Sequence, residues 1–149
     1  VVINSQRPEK MNNDIIFQLT NSFVLLGWIL LFFAPAWRQT MFLVRTAIII
    51  PLSLVYAGLV FSGLSQFDPN SFSTLDGIKS LFADESALVA GWVHYLAFDL
   101  FVGSYIVQRG IASQMPRWIY TLCLPFTFMF GPLGLLLFGI MQFARRQKI

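Results

Sequence analysis

His94 and Asp99 are the residues best placed to do chemistry in this chain. His94 is the only histidine, and Asp99 is a lone carboxylate five residues on, inside the apolar run ESALVAGWVHYLAFDLFVGSYIVQ from Glu85 to Gln108. A helix of that length can cross a bilayer. Ionisable groups in mid-membrane are costly, so each marks a candidate site for proton transfer or ligation. At about 100° per residue, Trp92, Tyr95, Asp99, Gly103 and Ile106 share one face, and His94, Phe98, Phe101 and Tyr105 an adjacent one. His94 and Asp99 lie about 140° apart, too far for a hydrogen bond on one helix, but able to flank one cleft from two sides. Arg45, on the preceding apolar run, sits at a depth that makes it the expected partner of Asp99. Two plainer roles stay open. Asp99 can be a structural hydrogen-bond or ion-pair centre. His94 can be a packed, satisfied histidine, or a ligand to a chlorophyll magnesium or a haem iron. With no second histidine in the chain, bis-histidine haem would need a partner subunit.

The elements that position these residues follow from composition. Of 149 residues, 56% are hydrophobic and 11% charged, and the mean hydropathy is +0.68. A soluble domain carries about 25% charge, so lipid is expected to solvate much of this one. The net charge of +3 is spread along the chain, which excludes a nucleic-acid partner on charge grounds. One cysteine, Cys123, excludes an internal disulfide. No CxxC, HExxH or glycine-rich phosphate loop occurs, and no metal cluster is expected. The chain opens on Val1, and Met11 is a candidate native start that would make residues 1–10 an extension.

Apolar periodicity predicts an all-α, integral membrane four-helix bundle, with spans at 14–34, 41–64, 86–108 and 118–143. A polar segment, 1–13, precedes it and a basic tail, 144–149, follows. Asp14 is expected to cap the first span, and its polar face of Gln18, Asn21 and Ser22 to turn inward. Pro51 should kink the second span. A short interfacial helix is expected near 74–82, where Leu75, Ile78, Leu81 and Phe82 fall at helical spacing. Asp84 and Ser86 then offer caps to the third span. Pro125 and Pro132 interrupt the fourth, and Gly131, Gly134 and Gly139 allow close helix contact. Four spans put both termini on one side. Counting Lys and Arg then favours that side as the positive compartment, by a moderate margin.

Two runs carry a resemblance. AGWVHYLAFDLFVG (Ala90 to Gly103) and PFTFMFGPLGLLLF (Pro125 to Phe138), with GWILLFFAPAWR fitting more loosely, resemble the abscisic-acid-deficient-type, neoxanthin synthase-like membrane proteins of plants, algae and cyanobacteria. Tyr105 stands where that family more usually has tryptophan. The resemblance implies a small helical protein of a plastid (thylakoid or envelope) or cyanobacterial membrane, tied to carotenoid metabolism. In plants such members are needed to convert violaxanthin to neoxanthin. The implied activity is a xanthophyll epoxide isomerase, or an essential part of one. That reaction needs an acid at the epoxide oxygen and a base at carbon. His94 suits the acid and Asp99 the base, with Arg45 setting its charge and Trp92, Tyr95, Phe98 and Phe101 walling the cleft. No cofactor is required for it. The implied partners are the bilayer and a carotenoid. The alternative is a non-catalytic pigment-binding or assembly subunit of a photosynthetic complex, with bound carotenoid or chlorophyll and His94 as the chlorophyll ligand.

Overall fold

A computed structural model describes residues 6–64 and 68–146. Six helices make up the fold, and no strand occurs among the described residues. They are α1 (Gln6–Phe33), α2 (Thr40–Gly63), α3 (Leu75–Ala83), α4 (Glu85–Ala112), α5 (Arg117–Phe130) and α6 (Pro132–Arg146). Among the described residues, only α1, α2 and α4 are long and apolar enough to cross a membrane. The central element is α4, which packs against α1, α2, α3, α5 and α6. The core is built around it from Val24, Trp28 and Leu31 of α1, Ile48 and Leu52 of α2, and Leu124 of α5.

Local chemistry explains the ends. α1 begins at Gln6, so Asp14 lies inside the helix and does not cap it. Gln18 and Ser22 face outward, and the Ser22 hydroxyl returns to the Gln18 carbonyl at 2.9 Å. Only Asn21 of that polar face reaches another helix, accepting from Trp92 Nε1 at 3.1 Å. Pro51 does not produce a simple kink. The turn before it widens into a π-helix, Leu43–Ile49, in which Ile50 N–H bonds to the Arg45 carbonyl. A proline ring clashes with the carbonyl four residues back, and a π-bulge absorbs that crowding. α3 is capped by Thr74, whose hydroxyl accepts from Gly77 N–H at 3.0 Å. α4 is capped by Asp84, which accepts from Ala87 N–H at 2.9 Å. Ser86 does a different job, accepting from Asn13 Nδ2 at 3.1 Å and tying α1 to α4.

The expected fourth span, 118–143, is not one helix. Proline at 132 pushes Gly131 out of the helical region, and Gly131 adopts φ +40°, ψ −89°. The chain then doubles back. A Cβ on Gly134 would overlap the Thr127 backbone, seven residues earlier. Gln142 Nε2 donates to Ser113 Oγ at 3.3 Å, although Ser113 ends α4 just before α5 begins. A continuous helix from Arg117 to Gln142 would separate its ends by about 37 Å. At 14 and 15 residues, each arm is about 21–22 Å long, short of a hydrocarbon core of about 30 Å. α5 and α6 therefore form a re-entrant hairpin packed on α4, which corrects both the four-helix bundle and the shared side of the termini. Within the helices, the chain starts at one end of the bundle and finishes at the other. Residues 1–5 of the expected polar segment and 147–149 of the expected basic tail lie outside the described residues.

The corrected topology redistributes charge. Arg38, Arg109, Arg117, Arg145 and Arg146 fall at the hairpin end, with Arg45 just inside it. Arg7, Lys10 and Lys79 fall at the other end, together with every carboxylate except Asp99. The basic bias marks the hairpin end as the one that stays in the positive compartment. Two measurements check this arrangement. Single cysteines at Asn12 and Lys79, in a Cys123→Ala background, should label from one side, and those at Arg38, Gln114 and Arg145 from the other. Labelling of Arg145 from the same side as Asn12 would restore a fourth crossing. The pair Ser113→Cys and Gln142→Cys should crosslink within one chain under mild oxidation, which a continuous helix forbids.

Candidate functional site

Asp99 lies 14 residues from the start of α4 and 13 from its end, so it sits about 20 Å from either tip. It is 7% exposed. The hairpin tip presses on it, since a Cβ added at Gly131 would collide with Asp99 Oδ1. Its other oxygen, Oδ2, is buried and has no hydrogen-bond partner. A buried polar atom left unpaired costs about 1–3 kcal/mol and calls for an explanation.

One turn earlier on the same face, the Tyr95 hydroxyl donates to the Met129 carbonyl at 3.0 Å. It also lies within interaction range of the Asp99 carboxylate. Met129 is two residues from Gly131, so this bond pins the tip to α4. Inside the tip, Gly131 N–H bonds to the Thr127 carbonyl at 2.8 Å, and the Thr127 hydroxyl bonds to the Cys123 carbonyl at 2.9 Å. Trp92 stands one turn below Tyr95, with ring centroids 5.5 Å apart. Glu85, Leu88, Trp92, Tyr95 and Asp99 thus form a single stripe of α4. The lower part of that stripe lines a groove of about 410 Å³ between α1 and α4, closed on the α1 side by Asn13, Asp14 and Phe17. Its walls are apolar toward Trp92, and its mouth is polar at Asn13, Asp14 and Glu85. The groove ends at Trp92, about two turns of the same stripe short of the carboxylate.

The other expected site residues lie elsewhere. Arg45 does not pair with Asp99. Its guanidinium donates to Gln108 Oε1 at 2.8 Å and Ser104 Oγ at 3.4 Å. Gln108 is nine residues beyond Asp99, about 13.5 Å toward the helix end. A long cationic side chain near a helix terminus extends toward water rather than inward. His94 is on the α2 side of α4, exposed, stacked on Phe98 at 4.5 Å and tilted against Tyr56 at 5.2 Å. Phe98 and Phe101 are 58% and 48% exposed on that same outer face. The structure therefore brings together Asp99, Tyr95 and Trp92, and sets His94, Phe98 and Phe101 apart, with α4 itself between the groups. Gly131, Met129 and Asn21 complete the inner site. Asn21 was expected to turn inward and Gly131 to allow close helix contact, whereas nothing in the sequence pointed to Met129.

Chemically, the inner arrangement sets a carboxyl group and a phenol hydroxyl side by side, away from bulk water. A family model described as ABA DEFICIENT 4-like matches residues 15–138. Among curated proteins, "Protein ABA DEFICIENT 4, chloroplastic" of Arabidopsis thaliana is 34% identical over 62 residues, which is 41% of this chain and 26% of that protein. The aligned stretch thus spans about a quarter of that relative's length. No solved structure matches the chain. The family match runs from within α1 into the first half of α6, and so takes in both Asp99 and the hairpin tip that rests on it: the chain belongs to the ABA DEFICIENT 4-like family.

Proposed function

We propose that this protein is a xanthophyll epoxide isomerase of neoxanthin-synthase type, or the part of one that carries the chemistry. The observation that carries this reading is the buried, unpartnered Asp99 oxygen beside the Tyr95 hydroxyl. Family membership supports the carotenoid class of substrate. The name of the Arabidopsis relative includes "chloroplastic", which, with the apolar helices, supports a plastid membrane as the location.

The reaction needs two proton movements and no change of oxidation state. Tyr95 gives its hydroxyl proton to the epoxide oxygen as one C–O bond breaks. Asp99 Oδ2 takes the proton from the adjacent polyene carbon, and that electron pair becomes the new double bond. The product is an allene with a tertiary alcohol. Asp99 then passes its proton to the Tyr95 phenolate one turn away, and both groups are reset. This replaces His94 as the acid, because Tyr95 shares the face of Asp99 and His94 does not. The epoxide oxygen takes the place of the Met129 carbonyl as acceptor for Tyr95, so the tip must lift from α4 for the end group to reach Asp99. The polyene then lies along Trp92 and into the groove, held by apolar burial. A pigment-binding role would rest on His94 and is independent of Asp99.

Asp99→Asn and Tyr95→Phe, expressed in a host supplied with violaxanthin, test the assignment. With protein level matched by immunoblot, each variant should lose on the order of 10²–10⁴ in the rate of neoxanthin formation. Parent-rate conversion by Asp99→Asn would remove the base and with it the mechanism.

A further inference from the structure

His94 has no place in the chemistry just described, and its surroundings make a second site. Its depth is nine residues from the start of α4, about 14 Å along the helix, inside the apolar run. It is exposed on the outer surface of the α2–α4 pair. Among the described residues its imidazole makes ring contacts with Phe98 and Tyr56 and no hydrogen bond. A histidine on a membrane helix ordinarily hydrogen-bonds across the helix interface or lines a polar cavity. Here both ring nitrogens are left without a hydrogen-bond partner among the described residues.

The neighbours define what would satisfy it. The interplanar angle of 22° with Phe98 holds the imidazole in a stack, and Tyr56 braces it from α2. Along the same stripe, Phe98, Phe101 and Tyr105 are 58%, 48% and 44% exposed, giving a continuous aromatic surface beside the ring. No charged side chain lies on that stripe between His94 and Tyr105. The surface thus offers one imidazole and a broad apolar aromatic bed. Small ions do not match it, because it has one ligand and no carboxylate beside it. A flat macrocycle with a metal that takes one axial ligand does.

We propose that His94 is the single axial ligand to the metal of a tetrapyrrole lying on the outer α2–α4 face, with its ring edge against Phe98 and Phe101. One imidazole gives a five-coordinate metal, the state of magnesium and zinc macrocycles with one axial base. This site is separate from Asp99, with the body of α4 between them.

Zinc protoporphyrin is the probe, because zinc in a porphyrin takes one axial ligand. The full chain is placed in phosphatidylcholine nanodiscs and titrated, with empty nanodiscs correcting for partition into lipid. The expected result is a saturable red shift of the Soret band with one porphyrin per chain. His94→Ala should abolish the shift and weaken binding by at least about tenfold, or roughly 1.4 kcal/mol. Added imidazole should restore the shift in that variant. His94→Gln, which keeps the side chain polar and similar in reach, guards against a folding defect and should also lose the shift. A parent protein no different from empty nanodiscs would overturn the proposal. So would His94→Gln or His94→Ala binding with an unchanged spectrum. Neither result bears on the Asp99 reading, which is decided by conversion assays on other variants.

Discussion

Backbone groups cannot be left unpaired in hydrocarbon, and a helix that turns back halfway through a membrane exposes them at its tip. The α5–α6 hairpin can exist only if another part of the protein covers that tip. α4 does so with two residues one turn apart. Tyr95 takes up the Met129 carbonyl at 3.0 Å, and Asp99 lies flush against the Gly131 backbone. Only glycine permits this contact, both because of its positive φ and because the carboxylate fills the space a side chain would need. The candidate site and the support for the hairpin are thus the same two side chains. A residue that reacts here also holds the fold, so stability and activity are expected to be coupled at Tyr95 and Asp99.

Much of this was legible in the sequence, for identifiable reasons. Hydropathy places α1, α2 and α4, because each is 22 residues or longer with high mean hydropathy and few charges. The α3 helix follows from the helical spacing of Leu75, Ile78, Leu81 and Phe82. The importance of Asp99 follows from the cost of a carboxylate at that depth. The hairpin is harder to read. Trp118 to Phe143 is long enough and apolar enough to pass as a span, and hydropathy measures neither direction nor continuity. The one discriminating signal is that glycine precedes proline at 131 and 132, whereas Pro125 alone leaves its helix intact. Arg45 misleads for a related reason. Its depth counted along the chain suits Asp99, but its side chain takes the route toward water.

Separation of His94 from Asp99 is also contained in the sequence. An angle of about 140° puts two side chains on different walls of one helix. They can share a cleft only where no neighbouring helix fills the space between them. Here α2 covers one flank of α4, while α1 and the hairpin cover the other. A helix surrounded in this way supports two sites that do not communicate by contact.

The depth of Asp99 constrains any substrate. It lies about 20 Å from both ends of α4, so a reacting group must travel to the middle of the apolar layer. A rod-shaped xanthophyll carries polar groups on its end rings, and moving one such ring inward exposes hydroxyl and epoxide oxygens to hydrocarbon. That cost is lowered if polar partners are met along the way. The α4 stripe and the facing side of α1 have them in sequence: Asn13, Asp14 and Glu85 at the mouth of the groove, the Asn21–Trp92 pair at 3.1 Å where the groove ends, and Tyr95 with Asp99 farther along α4. Between these points the walls are Phe17, Leu88 and Val89, which suit a polyene. The order polar, apolar, polar along one helix face matches a molecule whose polar ends are joined by a long apolar chain.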